Sequence, residues 1–181
     1  MPDSQETTEG SASKSLACAT AIRVGGALYI LAEAAGVEDA YYGVDAGIQA
    51  GMIALTRRRE LDYDVVRTAI HDCSSLSAQY PETADAAAFF GAGMSMIEMV
   101  LELIGENCSE GSLQRIGEKA LEAAGNWPIA IDAEGWGSLV EFEADCQNAA
   151  VDVLNYGGTR ALREEAGKHA LVYRRAAQAL R

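Results

Sequence analysis

Proline is nearly absent from this chain, and its few positions constrain the fold most strongly. Only residues 2, 81 and 128 of 181 are proline. Proline breaks the hydrogen bonding of a helix interior, so its scarcity permits long uninterrupted helices. Apolar residues recur three and four positions apart, as in Val65, Val66, Ala69, Ile70 and Cys73. No strand-like alternation persists, so the sequence predicts an all-α fold.

Stop and start signals divide the chain into six to seven helices in one compact bundle domain. Such a bundle gives every amphipathic segment a shared core. We predict a first helix capped by Ser13 or Ser15 and stopped by Gly36, a second from Glu38 to the arginines at 57–59, and a third capped by Asp62 and closed before Pro81. The fourth and fifth helices cover residues 82–104 and 110–124. The sixth runs from the end of a loop at 126–137 to Asn155, and the last runs from Thr159 to Ala179 after an interruption at Gly157–Gly158.

The two ends of the chain differ in character. Residues 1–13 are polar and acidic, which predicts a disordered leader ahead of a bundle domain at 14–181. This leader lacks the basic and apolar parts of a signal peptide. The longest uncharged central run, residues 86–97, is too short for a bilayer span. We therefore expect a cytoplasmic protein that does not contact a membrane.

Negative charge is concentrated in the middle of the chain. Residues 68–159 contain fifteen acidic and two basic side chains, so this segment carries the whole net charge of −13. Residues 160–181 contain six basic and two acidic side chains. Nucleic-acid binding requires the opposite overall balance, because phosphates are bound by Lys and Arg. An acidic field favours solubility or attraction to a basic protein partner.

Cysteine and histidine spacing gives no metal signature. Cys18, Cys73, Cys108 and Cys146 are far apart, and His71 and His169 are the only histidines. A zinc site needs closer ligand spacing, so we expect free thiols, no metal and no cofactor.

Three segments resemble the YjaG-like bacterial proteins, an all-helical family of unknown function, over about residues 14–168. The first segment is LACATAIRVGGALYILAEAAGVEDAYYGVDAGIQAGMIAL, with Ala17-Cys18, Arg23, Tyr29, Gly36 and Asp39 as matching features. Pro81 through Asp85 to Leu103 and the segment EFEADCQNAAVDVLNYGGTRALREEAG are the other two. Gly157–Gly158 departs from the family pattern, where an unbroken helix is expected. The resemblance implies a compact bundle and assigns no catalytic residue.

One predicted site is an acidic stripe on the fourth helix. Glu98, Glu102 and Glu106 recur every four residues and share one helix face. Like charges at this spacing repel, so the stripe is either a solvated face, a docking surface for a basic partner, or a set of metal carboxylates.

A second acidic group surrounds the 126–137 loop. It comprises Asp132 and Glu134 in the loop and Glu141, Glu143 and Asp145 after it. Trp127 and Trp136 flank these carboxylates and would either anchor an interface or pin the loop to the bundle. Pairing Glu98 and Glu102 with Glu141 and Asp145 would give a metal-dependent helical hydrolase.

The histidines give no catalytic constellation in the sequence. Glu165 and His169 are four residues apart, which is typical of a surface pair. His71-Asp72 has no nucleophile at a recognisable spacing.

These observations favour a non-catalytic protein-binding module. The specific hypothesis is an immunity-type inhibitor that neutralises a basic toxin, for example a nuclease, by covering its cationic active face. The predicted partner-binding residues are Glu98, Glu102, Glu106, Asp132, Glu134, Trp136, Glu141, Glu143 and Asp145. The metal-dependent hydrolase and a structural homo-oligomer, such as a homodimer joined through an apolar helix face, stay open as alternatives.

Overall fold

The computed structural model describes residues 3–105, 111–129 and 137–180, with side chains from residue 10 onward. These residues form an all-helical bundle, as the sequence predicts. The helices are α1 (Asp3–Ala35), α2 (Glu38–Arg57), α3 (Tyr63–Gln79), α4 (Ala87–Gly105), α5 (Ser112–Gly125) and α6 (Leu139–Gln178).

α1 is the central helix of the bundle. It packs against α2, α4, α5 and α6, while α3 lies outside, between α2 and α4. Consecutive residues such as Ala17, Cys18 and Ala19 are all buried, so no face of this stretch meets solvent. Small side chains allow this close approach of neighbouring helices. α1 begins at Asp3, so most of the segment predicted as a leader is helical.

Local signals mark several helix ends as predicted. Gly36 follows the end of α1 with a φ of 71°, a left-handed conformation that glycine adopts without strain. The Asp62 side chain caps α3 by accepting a hydrogen bond from the Val65 amide at 3.2 Å. Ser138 caps α6 in the same way through the Glu141 amide at 3.2 Å.

α6 is a helical hairpin rather than a straight rod. Gly158 has φ 71° and ψ −177°, which interrupts the helix between a first arm, residues 139–157, and a second arm, residues 159–178. Phe142 contacts Tyr173, and Cys146 contacts His169. Residue numbers therefore increase along the first arm in the direction in which they decrease along the second arm. The arms are therefore antiparallel, and the predicted break at Gly157–Gly158 is a reversal of chain direction.

α1 is packed against both arms of this hairpin. Ser15 Oγ lies 3.2 Å from Thr159 Oγ1 near the reversal. Eleven residues further along each helix, a Cβ on Gly26 would collide with the Ala170 carbonyl oxygen. α1 therefore runs parallel to the second arm, at a separation that glycine alone permits there.

Trp127 holds the chain after α5 onto the core. Its ring contacts Phe89 edge to face, with centroids 4.7 Å apart. Trp127 therefore has the second of the two roles left open by the sequence, which is to pin the loop to the bundle. Trp136 lies outside the described residues.

Among the residues that the structure describes, two helices are long and apolar enough to cross a membrane, at Gly10–Ala35 and Ala87–Gly105. The first contains three charged residues and the second contains two, so a search for uncharged runs missed both helices. Most of each apolar window is buried inside the bundle, and core helices of soluble proteins satisfy the same criterion.

Candidate functional site

A buried ion pair joins α1 to the first arm of α6. Arg23 Nη2 donates to Glu143 Oε1 at 2.7 Å, and Arg23 Nε donates to Oε2 at 3.2 Å. Their side chains are 2% and 0% exposed. A planar guanidinium matches a carboxylate with two hydrogen bonds, which is the geometry that a buried pair requires.

Neighbouring polar groups complete the hydrogen bonding of this pair. The Tyr173 hydroxyl donates to Glu143 Oε2 at 3.0 Å, and Gln147 Nε2 donates to Oε1 at 3.1 Å. Thr20 Oγ1 accepts from Arg23 at 3.1 Å. Burial, followed by the charge of Glu143, raises the pKa of Tyr173 well above its ordinary value. The tyrosine therefore remains a donor throughout the physiological range.

Beside this network, the arms of α6 bring a thiol, an imidazole and a carboxylate into line. Cys146 Sγ on the first arm lies 3.3 Å from His169 Nδ1 on the second arm. His169 Nε2 lies 3.4 Å from Glu165 Oε1, one turn earlier. Phe142 packs edge to face on the imidazole, with centroids 5.5 Å apart. The ring of His169 is thus fixed between Cys146 and Glu165.

A cavity of about 180 Å³ opens next to these three groups. Arg23 of α1 and Asp145 of the first arm also line it. Its remaining wall is apolar and comes from Ala149, Ala150, Val153, Leu162 and Ala166.

Burial shifts the pKa values of the two groups in contact. It raises the pKa of the Cys146 thiol to about 12, against the opposing charge of Arg23. It lowers the pKa of His169, against the opposing charge of Glu165. Both groups are therefore neutral at pH 7.

The prediction that Glu143 shares a partner-binding surface with Glu141 and Asp145 is wrong. Glu143 is buried against Arg23. Residues two apart on a helix point to opposite sides, so Glu141 and Glu143 do not share a face. Glu143 is therefore unavailable to a partner.

The structure does not bring together the carboxylates of the alternative metal site. Glu98 and Glu102 lie on α4, while Glu141 and Asp145 lie on the first arm of α6. In the described part of the chain, no Cα atom of α4 comes within 8 Å of one in α6. No group of three or more His, Cys, Asp or Glu side chains in that part could hold a metal ion.

The remaining predicted residues divide into two sets. Glu98 is half-buried beside Cys73 of α3, and Glu102 is exposed on α4. Glu106, Asp132, Glu134 and Trp136 lie outside the described residues.

The outer face of the first arm carries a row of exposed acidic groups. Glu141, Asp145 and Asp152 are spaced by four and seven residues, so they follow one face of the helix. Val151 beside this row is 48% exposed, and Tyr156 at its end is 91% exposed. We call the five residues Glu141, Asp145, Val151, Asp152 and Tyr156 the acidic stripe.

Three cations of the second arm contact groups away from the acidic stripe. Arg160 pairs with Glu164 at 3.1 Å, and Lys168 pairs with Glu165 at 2.8 Å. Arg163 donates to Gln49 of α2 at 2.9 Å. These three contacts stay on the second arm or reach α2.

Comparisons with protein-family models, with curated proteins and with solved structures find no match to this chain. The resemblance to the YjaG-like family therefore stays a prediction. What the protein does must be argued from its own geometry.

Proposed function

We propose that this chain is a protein-binding module that captures a basic protein through the acidic stripe. The observation that carries the proposal is the row formed by Glu141, Asp145 and Asp152 on the outer face of the first arm. The proposal narrows the predicted binding surface to one helix face.

Charge distribution supports an attraction that acts over some distance. The net charge is −13, and the segment 68–159 accounts for it. Complementary fields speed the encounter of two proteins and orient them before contact. Arg160, Lys168 and Arg163 of the second arm contact residues outside the stripe.

Apolar side chains beside the carboxylates supply the contacts that keep the partner bound after the encounter. Tyr156 projects into solvent near the hairpin reversal, and Val151, five residues earlier, is half-exposed. Aromatic side chains at an interface bury much area at low entropic cost, and they often carry most of the binding energy. The stripe thus combines steering charges with an anchor.

The finer proposal is an immunity-type inhibitor of a basic toxin such as a nuclease. An enzyme that acts on nucleic acid needs a cationic face for phosphates. A helix face bearing carboxylates at regular intervals would cover such a surface and exclude the substrate.

A test compares three forms of the full chain as bait in an extract of the source organism. The forms are the natural sequence, a stripe variant with Glu141→Gln, Asp145→Asn and Asp152→Asn, and a control variant with Glu60→Gln, Glu82→Gln and Asp85→Asn. The control removes the same charge from exposed residues elsewhere. Any protein retained is then purified, and its affinity is measured at about 50 and 300 mM salt.

The proposal predicts a basic partner that the natural and control forms retain and the stripe variant loses. Its affinity should fall as salt rises, because exposed charges are screened. Tyr156→Ala should weaken binding at both salt concentrations, since its contribution is apolar. Capture of only a second copy of the chain, or equal retention by the stripe variant, would contradict the proposal.

A further inference from the structure

The hairpin of α6 creates a thiol site that the binding proposal does not use. Cys146, His169 and Glu165 meet in a line with separations of 3.3 and 3.4 Å, and all three border the same cavity. This is the order of nucleophile, base and orienting group found in covalent catalysis. Cys146 is therefore not an isolated buried cysteine.

The negative charge of Glu165 favours one tautomer of His169. Glu165 Oε2 accepts from Lys168 at 2.8 Å, and this contact is the largest cause that lowers the pKa of Glu165. Glu165 is thus a carboxylate, and its Oε1 lies 3.4 Å from His169 Nε2, which favours the tautomer that carries its proton on Nε2. Neutral imidazole carries one proton, so Nδ1 is then the acceptor. It accepts from the Cys146 thiol, which places a base directly on the nucleophile's proton.

The cavity limits what could reach the sulfur. Its volume of about 180 Å³ is close to that of a roughly 150 Å³ protein cavity that binds benzene. Five of its ten lining residues are alanine, valine or leucine, and most of the exposed area of its wall is apolar. These features favour a small uncharged ligand.

We propose that Cys146 is an acceptor thiol for small uncharged acyl groups, with His169 as general base and Glu165 as positioning residue. The sulfur attacks the carbonyl carbon of an activated ester or thioester, and the thiol proton moves to His169 Nδ1. The tetrahedral adduct collapses as the bond to the leaving group breaks. His169 returns the proton to the departing alkoxide or thiolate, so the products are a Cys146 thioester and an alcohol or thiol.

The base is required because the resting thiol is protonated. Burial raises the pKa of Cys146 to about 12, so little thiolate exists at neutral pH. Cys18 and Cys73 are also buried thiols with pKa values raised to about 12. Neither forms a hydrogen bond to a histidine in the described part of the chain, which makes both internal controls.

The pH dependence follows from the groups around the imidazole. Attack should accelerate as His169 loses its proton and then level off at higher pH. The charged groups that act on His169 are Glu165 and Lys168 on its own arm, Glu143 on the first arm and Arg23 on α1. Asp145 and Glu165 also act on Cys146.

The test treats the full chain carrying Cys108→Ser with p-nitrophenyl acetate. Release of p-nitrophenolate gives the rate, and mass spectrometry of proteolytic peptides locates the acetyl group. We expect Cys146 to be acetylated ahead of Cys18 and Cys73, and His169→Ala to slow it by about 100-fold or more. Added imidazole should partly restore the rate in His169→Ala if the cavity is intact. The exposed neighbour Glu164 provides the control Glu164→Gln, which should react normally.

Glu165→Gln distinguishes positioning from a purely structural role. Glu165 raises the pKa of His169, so the substitution should move the midpoint of the pH–rate profile to lower pH. Circular dichroism of each variant reports whether the fold is kept.

Three results would overturn the proposal. The first is acetylation of Cys146 no faster than that of Cys18 and Cys73 in the chain that carries Cys108→Ser and no other substitution. The second is an unchanged rate in folded His169→Ala. The third is a rate that rises steadily through pH 9 without a plateau, as simple thiolate chemistry gives. Asp145 belongs to the acidic stripe and also lines the cavity, so the thiol test keeps Asp145 unchanged, and a loss of partner binding in Tyr156→Ala leaves the thiol test unaffected.

Discussion

Arg23 and Glu143 are 120 positions apart in sequence, yet Nη2 and Oε1 of this buried pair lie 2.7 Å apart. The pair connects the central helix α1 to the first arm of α6. Burial lowers the pKa of Arg23, but the charge and hydrogen bonds of Glu143 outweigh it and raise the pKa overall. Arg23 therefore stays protonated throughout the physiological range.

Glu143→Gln should destabilise the protein by about 3–5 kcal/mol, because it leaves the Arg23 charge buried without a counter-ion. The double variant Arg23→Met with Glu143→Leu should lose less than Glu143→Gln, since no charge is then left alone. Glu122→Gln breaks the more exposed pair with Lys119 and should cost at most about 1 kcal/mol. Equilibrium urea unfolding measures all three. Equal losses for Glu143→Gln and Glu122→Gln would show that the buried pair is not formed.

Stability should fall at alkaline pH because of the buried thiols. Burial raises the pKa of Cys18 from 9.0 to about 12. Below pH 9 the thiol is protonated in both the folded and the unfolded chain, so the contribution of Cys18 to the free energy of unfolding is fully present there. Above pH 9 the unfolded chain loses the proton while the folded chain keeps it, and stability declines by about 1.4 kcal/mol per pH unit until about pH 12. Cys18→Ala should reduce the slope of unfolding free energy against pH between 9 and 11, and an unchanged slope would refute the assignment.

Gly26→Ala should destabilise the protein by about 1–3 kcal/mol, as overpacking does. The added Cβ would meet the backbone oxygen of Ala170, which cannot move without separating α1 from the second arm. Gly167 is the matched control, because it is helical and nothing lies within 4 Å of its Cβ position. Gly167→Ala should be neutral or stabilise by up to about 1 kcal/mol. Thermal unfolding that ranks the two variants in the opposite order would contradict the packing described.

Gly158→Ala should cost about 1–3 kcal/mol for a different reason. Its added Cβ meets no atom within 4 Å, but φ 71° with ψ −177° is a conformation that only glycine adopts readily. The same Gly167→Ala control applies to this substitution. A Gly158→Ala protein as stable as the natural one would mean that the reversal does not use this backbone conformation.

Local structure was predictable because it depends on neighbours in sequence. The Asp62 cap, the stop at Gly36 and the break at Gly157–Gly158 all appear as predicted. The start of α1 at Asp3 was not predicted, since a polar composition reports solvent exposure rather than the absence of helix.

The candidate sites were less predictable because they depend on helix packing. Arg23 is the only charge in a long apolar stretch of α1, which signals a buried partner but does not name it. A helical count would have placed Glu143 opposite Glu141 and removed it from the surface group. Cys146 precedes Gly157 by eleven residues and His169 follows Gly158 by eleven. This symmetry pairs the two residues only once the break is known to be a reversal.

The fold-back of α6 is the claim on which the thiol site and the packing of α1 both depend. Labels incorporated as noncanonical amino acids at exposed Glu141 and Arg174, 33 residues apart, allow a pulsed dipolar distance measurement. Antiparallel arms with helix axes about 8–10 Å apart predict a label distance of about 10–25 Å. An unbroken helix with a rise of 1.5 Å per residue would place the labels about 50 Å apart, and that result would contradict the hairpin.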